Sequence, residues 1–316
     1  MVIAAWQPIV VGVDGTPAGA AAVRQAVALA ERAGVTCRFV HAAPEVWSIA
    51  AVPSTFAGGP SAVNRAGAEA SGRAVREALR GRVPDAALRR LEVRVGRPGR
   101  VLAEAAEQSG AGLIVVGGKP HSNLGRWLAG STAHAVVRTS TVPVLIAAGV
   151  ELPHSRVLCA VDVSDGAPSI VKAAARWSDL LETSLSVMHA LQPLPAFADA
   201  ALAISSAEHR IHTEEALVRL VWPAVPDGAE RLVRDGQPEQ LITDEVERGD
   251  VDLVVVGSHG RGWVDRMLLG SVTERLLGLL PTSMLVVPAR PARIPERRRR
   301  RQDVQILSRQ PPAAHS

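Results

Sequence analysis

The stretch Leu253–Leu279, LVVVGSHGRGWVDRMLLGSVTERLLGL, predicts both the fold of the chain and the location of a binding site. Its first four residues, Leu253–Val256, form the short apolar run expected of a buried parallel strand. Glycines follow the strand, and Gly270-Ser271 then opens an apolar segment of helical character. The stretch therefore predicts a strand, a glycine-rich loop and a helix, in that order.

The residue types of this loop suit an anionic ligand. Gly257 and Gly260 let the backbone approach a ligand and adopt positive φ angles. Ser271 places a hydroxyl and backbone N–H groups at a helix N-terminus, where the helix dipole favours an anion. Open α/β sheets bind ligands at the carboxyl ends of their strands. The sequence predicts a phosphate-binding loop, although neither GxxxxGK[ST] nor G-x-G-x-x-G is present, and a glycine-rich turn without a ligand is the alternative.

The spacing Gly257-x2-Gly260-x9-Gly270-Ser271 resembles the ATP-binding signature of the universal stress protein family. The resemblance implies an α/β fold of the adenine nucleotide alpha hydrolase-like type. Its doubly wound, five-stranded parallel sheet has the strand order 3-2-1-4-5, with the switch point between strands 1 and 4. It also implies ATP, with Mg, as the ligand.

The chain contains an internal repeat, which needs no family knowledge to detect. The offset between matched segments is 148 residues at first and 140 residues later, so the first copy has eight more residues. The matched pairs are Ile9–Asp14 with Val157–Asp162, Phe39–Ala42 with Val187–Ala190, Leu113–Gly117 with Leu253–Gly257, and Gly130-Ser131 with Gly270-Ser271.

Each copy alternates strands with helices, as expected of a parallel sheet with right-handed crossovers. For the first copy the pattern predicts strands around Val10 and at Thr36–His41, Leu91–Val95, Leu113–Val116 and Val142–Ala147, with helices at Pro17–Arg32, Val63–Leu79, Val101–Gln108 and from Ser131. The run PSTFAGGPS is expected to be a loop, and the last strand of the second copy is expected at Met284–Val287.

These patterns divide the chain into domain 1 at residues 1–149, domain 2 at 150–289 and a disordered Arg-rich tail at 290–316. The link around GVELPHS is so short that we expect the two domains to pack against each other. Single-domain members of the family usually form dimers, so the resemblance implies an intramolecular pseudo-dimer, and a homodimer of the whole chain is possible.

Composition is that of a soluble globular protein, with 47% hydrophobic and 21% charged residues. No apolar run is long enough to span a bilayer, and the N-terminus lacks the features of a signal peptide, so a cytoplasmic protein is expected. Cys37 and Cys159 are expected to be small buried residues of a reducing compartment.

The net charge of +4 arises from the tail, which contains eight arginines and two carboxylates, so residues 1–289 have a net charge of −2. The run Arg297–Arg301 could contact nucleic acid or an anionic membrane. Because no aromatic residues interleave with it and no nucleic-acid fold precedes it, a solvated extension is expected instead.

Asp14 and Asp162 each follow the first strand of their copy, and with the switch point that the resemblance implies they should face the glycine loop. A carboxylate there can accept hydrogen bonds from ribose hydroxyls or help to hold a cation on the phosphates. Asp162-Val163-Ser164 is similar to the family's Asp-x-Ser pattern. The alternative for both carboxylates is a helix N-cap.

Three further groups of residues are candidates for the site. The resemblance implies that backbone groups at His189-Ala190 receive adenine, and His41 ends the matching strand of the first copy, although both histidines could simply pack. His259, Arg261 and Arg266 could add charge near phosphates or be solvated. His209 and His212 have metal-binding spacing but no third ligand, so a polar helix face is expected and no metal site is predicted.

The first copy departs from the motif because Pro120 stands where the second copy has Gly260. Proline fixes φ and lacks the N–H donor, so a weaker or empty first site is expected around Asp14, Gly117, Gly130 and Ser131. Lys119 could compensate with charge.

The sequence supplies no paired nucleophile and base, so no catalytic residue is predicted and ATP is expected to act as a regulatory ligand, with slow hydrolysis at most. One alternative is an interaction module that has kept the fold and lost its ligand. Another is an adenylating enzyme of the wider fold group, which the absence of SGGxDS-type and HIGH-type motifs disfavours.

Overall fold

The computed structural model describes residues 6–45, 59–120, 127–148, 155–193, 206–259, 269–279 and 282–288. The elements of the first half are β1 Ile9–Gly12, α1 Pro17–Ala33, β2 Cys37–Ala43, α2 Gly59–Leu79, α3 Asp85–Arg89, β3 Glu92–Val95, α4 Pro98–Ser109, β4 Leu113–Pro120, β5 Trp127–Ala129, α5 Ser131–Thr139 and β6 Val144–Ala147. Those of the second half are β7 Arg156–Ala160, α6 Ala167–Leu181, β8 Ser184–Leu191, α7 Ser206–Leu220, a 3₁₀ turn at Trp222–Ala224, β9 Glu230–Asp235, α8 Pro238–Glu247, β10 Leu253–Gly257, α9 Ser271–Leu279 and β11 Ser283–Val287.

Local sequence sets the bounds of α1. The side chain of Thr16 caps the helix by accepting a hydrogen bond from the backbone N–H of Gly19. Pro17 occupies the first turn, where its missing N–H has no cost. The helix ends at Gly34, whose φ of 66° lies in the left-handed region that glycine adopts without strain.

The sheet has the predicted order. The main path runs β3-β2-β1-β4-β6-β11-β10-β7-β8-β9, so each half contributes five strands in the order 3-2-1-4-5. Neighbouring strands within each half of this path are parallel. The prediction of an α/β fold with doubly wound parallel sheets is confirmed.

The two halves join through one antiparallel strand pair, β6 with β11. Leu145 pairs with Leu285, its equivalent 140 positions later in the repeat, so a local two-fold axis passes near this pair. The hydroxyl of Ser283 accepts hydrogen bonds from Ala148 N at 3.1 Å and Gln25 Nε2 at 3.4 Å. The result is one continuous sheet.

Both apolar layers that cover this sheet also span the two halves. One layer packs the sheet against α1, α2, α6 and α7, and the other packs it against α4, α5, α8 and α9. Trp6, before β1, contacts Trp177 of α6 edge-on with ring centroids 5.8 Å apart, and Arg176 lies 5.0 Å above the Trp6 ring. The halves therefore share their cores as well as their sheet.

A charged contact lies on the α5–α9 side of the same junction. Glu274 of α9 is 3.4 Å from Nδ1 of His134 and 3.7 Å from Nη2 of Arg138, both on α5. His134 and Glu274 are again equivalents at an offset of 140. The repeat therefore places unlike residues opposite each other at this point.

The main local correction concerns the glycine loop of the first half. The strand predicted at Leu113–Val116 continues to Pro120, and β5 returns along it in an antiparallel hairpin that pairs Gly118 with Ala129 and Pro120 with Trp127. Helix α2 begins at Gly59, inside the run predicted to be a loop, because Pro60 is tolerated in a first helical turn. Helix α3 was not expected. The expected link around residues 149–154 and the tail lie outside the described residues.

The two cysteines differ in their burial. Cys159 is buried in β7, whereas Cys37, at the start of β2, is partly exposed and its thiol contacts Ala26 O at 3.3 Å. Burial, together with the charge of Glu31, raises the pKa of the Cys37 thiol to about 11, and burial also raises the pKa of the Cys159 thiol.

Within the described residues, no helix combines the length and apolarity needed to cross a membrane.

Replacing Leu285 by alanine should lower the free energy of unfolding by about 2–5 kcal/mol, because its fully buried side chain lies at the junction of the halves. Urea denaturation followed by circular dichroism measures this loss. Val218→Ala, at an exposed position, should change stability by less than about 0.5 kcal/mol. Equal losses for the two variants would contradict a shared core at this junction.

Native Cys37 should react about 100-fold more slowly with iodoacetamide at pH 8 than in the denatured chain, because the thiolate is the reactive form and a raised pKa lowers its fraction. Mass spectrometry of time points measures the rate. The native rate should rise steeply as the pH approaches about 11. A native rate close to that of the denatured chain would contradict the raised pKa.

Candidate functional site

A cavity of about 340 Å³ opens in the second half, where β7, β8 and β10 end at their carboxyl termini. Its volume lies in the range of small-molecule sites. It occupies the switch point between β7 and β10, the position at which doubly wound sheets bind ligands. Helices α7, α8 and α9 each contribute residues to its walls.

The cavity is lined by both apolar and polar side chains. Apolar side chains, among them Ile170, Met188 and Ile242, form surfaces on which a flat ring can pack. Asp162 and Ser271 add a carboxylate and a hydroxyl. The cavity can therefore hold a ligand with an apolar ring, hydroxyl groups and an anionic end.

Hydrogen bonds fix both ends of the glycine loop. Ser258 N donates to Val287 O of β11 at 2.8 Å, and Gly270 N donates to Ser258 O at 2.8 Å. The hydroxyl of Thr273 in α9 donates to Gly257 O at 2.7 Å. These bonds hold the start of α9 against the end of β10, although Gly260, Arg261 and Arg266 lie outside the described residues.

The N-terminus of α9 lines the cavity through Gly270, Ser271, Val272 and Thr273. The first turn of a helix presents N–H groups that have no acceptor within the helix, and the helix dipole makes this end electropositive. The predicted phosphate residues Gly257, Gly270 and Ser271 thus come together at one end of the cavity. His259 also lines it, and its Nδ1 lies 2.8 Å from the Ser258 hydroxyl.

Both candidate aspartates lie after the first strand of their half. Asp162 lines the cavity and accepts a hydrogen bond of 2.6 Å from the Ser164 hydroxyl. Asp14 is exposed and accepts hydrogen bonds from the backbone and hydroxyl of Thr16. The N-cap alternative is wrong for both, since Thr16 caps α1 and Gly166 occupies the N-cap position of α6.

The paired histidines bind the backbone that follows the first strand of each half. Nδ1 of His189 lies 2.9 Å from Val161 O, and Nδ1 of His41 lies 2.8 Å from Val13 O. A carbonyl only accepts, so each Nδ1 is the donor. Both rings are buried, and His189 and Ala190 also line the cavity. The histidines therefore position the loop that contains each aspartate.

Helix α7 contributes two residues that sequence reasoning missed. His209, expected only on a polar helix face, lines the cavity together with Thr213, whose hydroxyl donates to His209 O at 2.8 Å. His212 points elsewhere, 3.8 Å from Glu215. In the first half, the hydroxyl of Ser71 on α2 lies 2.7 Å from His41 Nε2. No cluster of three metal-ligating side chains occurs in the described part of the chain.

The equivalent region of the first half is built differently. The β4–β5 hairpin, which includes Lys119 and Pro120, stands where the second half has its glycine loop. A Cβ atom on Gly117 would lie 2.4 Å from the carbonyl oxygen of Ala18, so α1 packs directly on this backbone. Gly130 is the N-cap of α5, and Ser131 begins that helix at an exposed position.

Comparison with known proteins agrees with this architecture. A model of the universal stress protein family matches residues 5–148 and again 154–288. A universal stress protein of Mycobacterium tuberculosis is 29% identical over 294 residues, covering 88% of this chain and 95% of the relative. The universal stress protein A homolog of Pasteurella multocida is 32% identical over 141 residues, which are 43% of this chain and 98% of the relative.

Solved structures share the fold. The universal stress protein from Archaeoglobus fulgidus DSM 4304 superposes with a TM-score of 0.54 at 19% identity, covering 90% of this chain and 98% of that one. The topology and the switch-point cavity define a doubly wound α/β protein with two tandem halves. With the two family matches, this chain belongs to the universal stress protein family.

Gly117→Ala should destabilise the protein by about 1–3 kcal/mol, because the added Cβ meets the backbone of Ala18, which cannot move without shifting α1. Gly257→Ala is the matched control at the equivalent position. Its Cβ would lie 2.5 Å from the end of the Ile170 side chain, which can rotate, so the loss should be smaller. Thermal melts of both variants would contradict this packing if Gly257→Ala were the more damaging.

Proposed function

We propose that this universal stress protein binds ATP in the cavity of its second half and uses the nucleotide as a regulatory ligand in a cytoplasmic stress or dormancy response. The observation that supports this most is the meeting of Gly257, Gly270 and Ser271 at one end of an apolar-walled cavity that also contains Asp162. The chemistry of this donor set fits a nucleotide.

Each part of the ligand has a counterpart in the cavity. The phosphates would lie at Gly257, Gly260 and the N-terminus of α9, which offers N–H groups to an anion. Asp162 would accept hydrogen bonds from the ribose or help to hold Mg on the phosphates. Backbone groups at His189 and Ala190 would receive adenine between apolar side chains.

The first half would bind nucleotide weakly or not at all. The backbone of Gly117 is covered by Ala18 of α1. Pro120, at the end of β4, has no backbone N–H to offer to a phosphate, unlike a glycine at that position. We therefore propose that the first half acts as the fixed companion of the second in an intramolecular pseudo-dimer. ATP binding would change a partner surface rather than drive turnover.

The number of ATP molecules bound per chain at saturation tests this proposal directly. Equilibrium dialysis of labelled ATP with magnesium should give about one per chain. A value near two would mean that the first half also binds, and no binding at millimolar ATP would reject the nucleotide and leave an interaction module.

Ser271→Asp should weaken ATP binding on the order of tenfold or more, because a carboxylate at the helix N-terminus repels phosphate. The same charge favours the helix itself, so folding should be preserved. Ser131→Asp places an equal charge at the equivalent helix of the first half and should leave ATP affinity unchanged. Calorimetric titration measures both variants, and equal losses would contradict a site confined to the second half.

A further inference from the structure

The two ends of the sheet have opposite net charges. Residues 59–97, from α2 through β3, contain nine arginines and four carboxylates, a net charge of +5. The equivalent residues 206–237, from α7 through β9, contain four arginines and six carboxylates, a net charge of −2. Strands β3 and β9 are the terminal strands of the main sheet path. The two ends of the sheet are equivalent in the repeat but have net charges of opposite sign.

These charges cannot neutralise each other within one molecule. Nine strand spacings separate β3 from β9, which corresponds to roughly 40 Å. Opposite charges in solvent are screened beyond about 10 Å at moderate salt. The two ends therefore do not attract each other within one molecule, whereas a second molecule can bring opposite ends into direct contact.

The acidic end also exposes apolar side chains. Ile211 is 54% exposed and Val218 is 63% exposed on the outer face of α7. Their spacing of seven residues places them on one stripe of the helix. Glu214 and Glu215, both exposed, lie between them in sequence and flank this stripe. The outer face of α7 therefore combines apolar anchors with negative charge, as helices that dock into grooves do.

The basic end has a groove of suitable character. Arg65, Arg73 and Arg76 line an open groove of about 440 Å³ between α2 and β3, whose other lining residues are Ala68, Glu69 and Val93. Gly72 lets α2 approach the strand, since a Cβ there would lie 2.6 Å from the Val93 side chain. Arg76 donates to Leu91 O at 2.9 Å, which holds its guanidinium in the groove.

We propose that the outer face of α7 docks into the α2–β3 groove of a second copy of this chain. Ile211 and Val218 would cover Ala68 and Val93, and Glu214 and Glu215 would face the groove arginines. The contact joins unlike surfaces, so it is heterologous: an open assembly keeps one free groove and one free α7 face, and these are used up only if a ring closes. This inference stands independently of nucleotide binding.

The mass of the full chain in solution tests the contact. Sedimentation velocity at about 50 mM salt should show a mass that rises with concentration past two chains, and about 500 mM salt should abolish the rise, since the contact depends on charge. A single-chain mass at all concentrations, or a plateau at two chains, would overturn the proposal.

Two variants separate the partners of the contact. The face variant Ile211→Asn/Val218→Asn, which removes the apolar anchors without adding charge, and the groove variant Arg65→Glu/Arg73→Glu should each weaken association about tenfold or more. The control Glu107→Arg, an exposed position on α4, should associate as wild type does. Circular dichroism checks that each variant is folded. Loss of folding is not expected, because the substituted residues lie at the surface.

Mixing the two variants gives the sharpest result. The face variant keeps its groove and the groove variant keeps its α7 face, so an equimolar mixture should form two-chain complexes that do not extend. Failure to form them would show that the occupant of the groove is not α7. If wild type does not associate but binds long-chain polyphosphate, and only the groove variant loses that binding, the basic end is an anion site and the proposal is wrong.

Discussion

The antiparallel pairing of β6 with β11 is the interaction on which the arrangement of the molecule depends. Each of these strands has a parallel neighbour on its other side, so the pairing merges two five-stranded sheets into one. Because the helices pack on both faces of that sheet, the apolar layers merge as well. Because the sheet and the apolar layers are shared, unfolding of one half should destabilise the other half.

The same junction links the first half to the cavity of the second. Glu274 lies in the first turn of α9 and contacts His134 and Arg138 of α5. Strand β5 of the hairpin in the first half also contacts α9. The helix whose N-terminus lines the cavity is therefore held by both halves of the protein.

Much of this fold could be predicted from the sequence because the strands at Leu113 and Leu253 are continuous apolar runs and the repeat shows the five strands of the main path twice. The hairpin at Gly118–Ala129 could not, since it depends on pairing between segments that lack a strong strand pattern of their own. The residues Asp162, Gly257 and Ser271 could be assigned to one region from the strand order and switch point that the family resemblance implied. His209 and Thr213 could not, because their position depends on how α7 packs against the rest of the second half, which helical periodicity does not contain.

The contact between His134 and Glu274 has a consequence for how tandem proteins diverge. In a symmetric pair of identical chains, a residue near the two-fold axis meets another copy of itself, so an acidic residue there would face an acidic residue. Joining the halves in one polypeptide removes that restriction, because each position near the axis can change without its counterpart. A chain with two joined halves thus permits unlike residues to meet at a position where symmetry would place two carboxylates together.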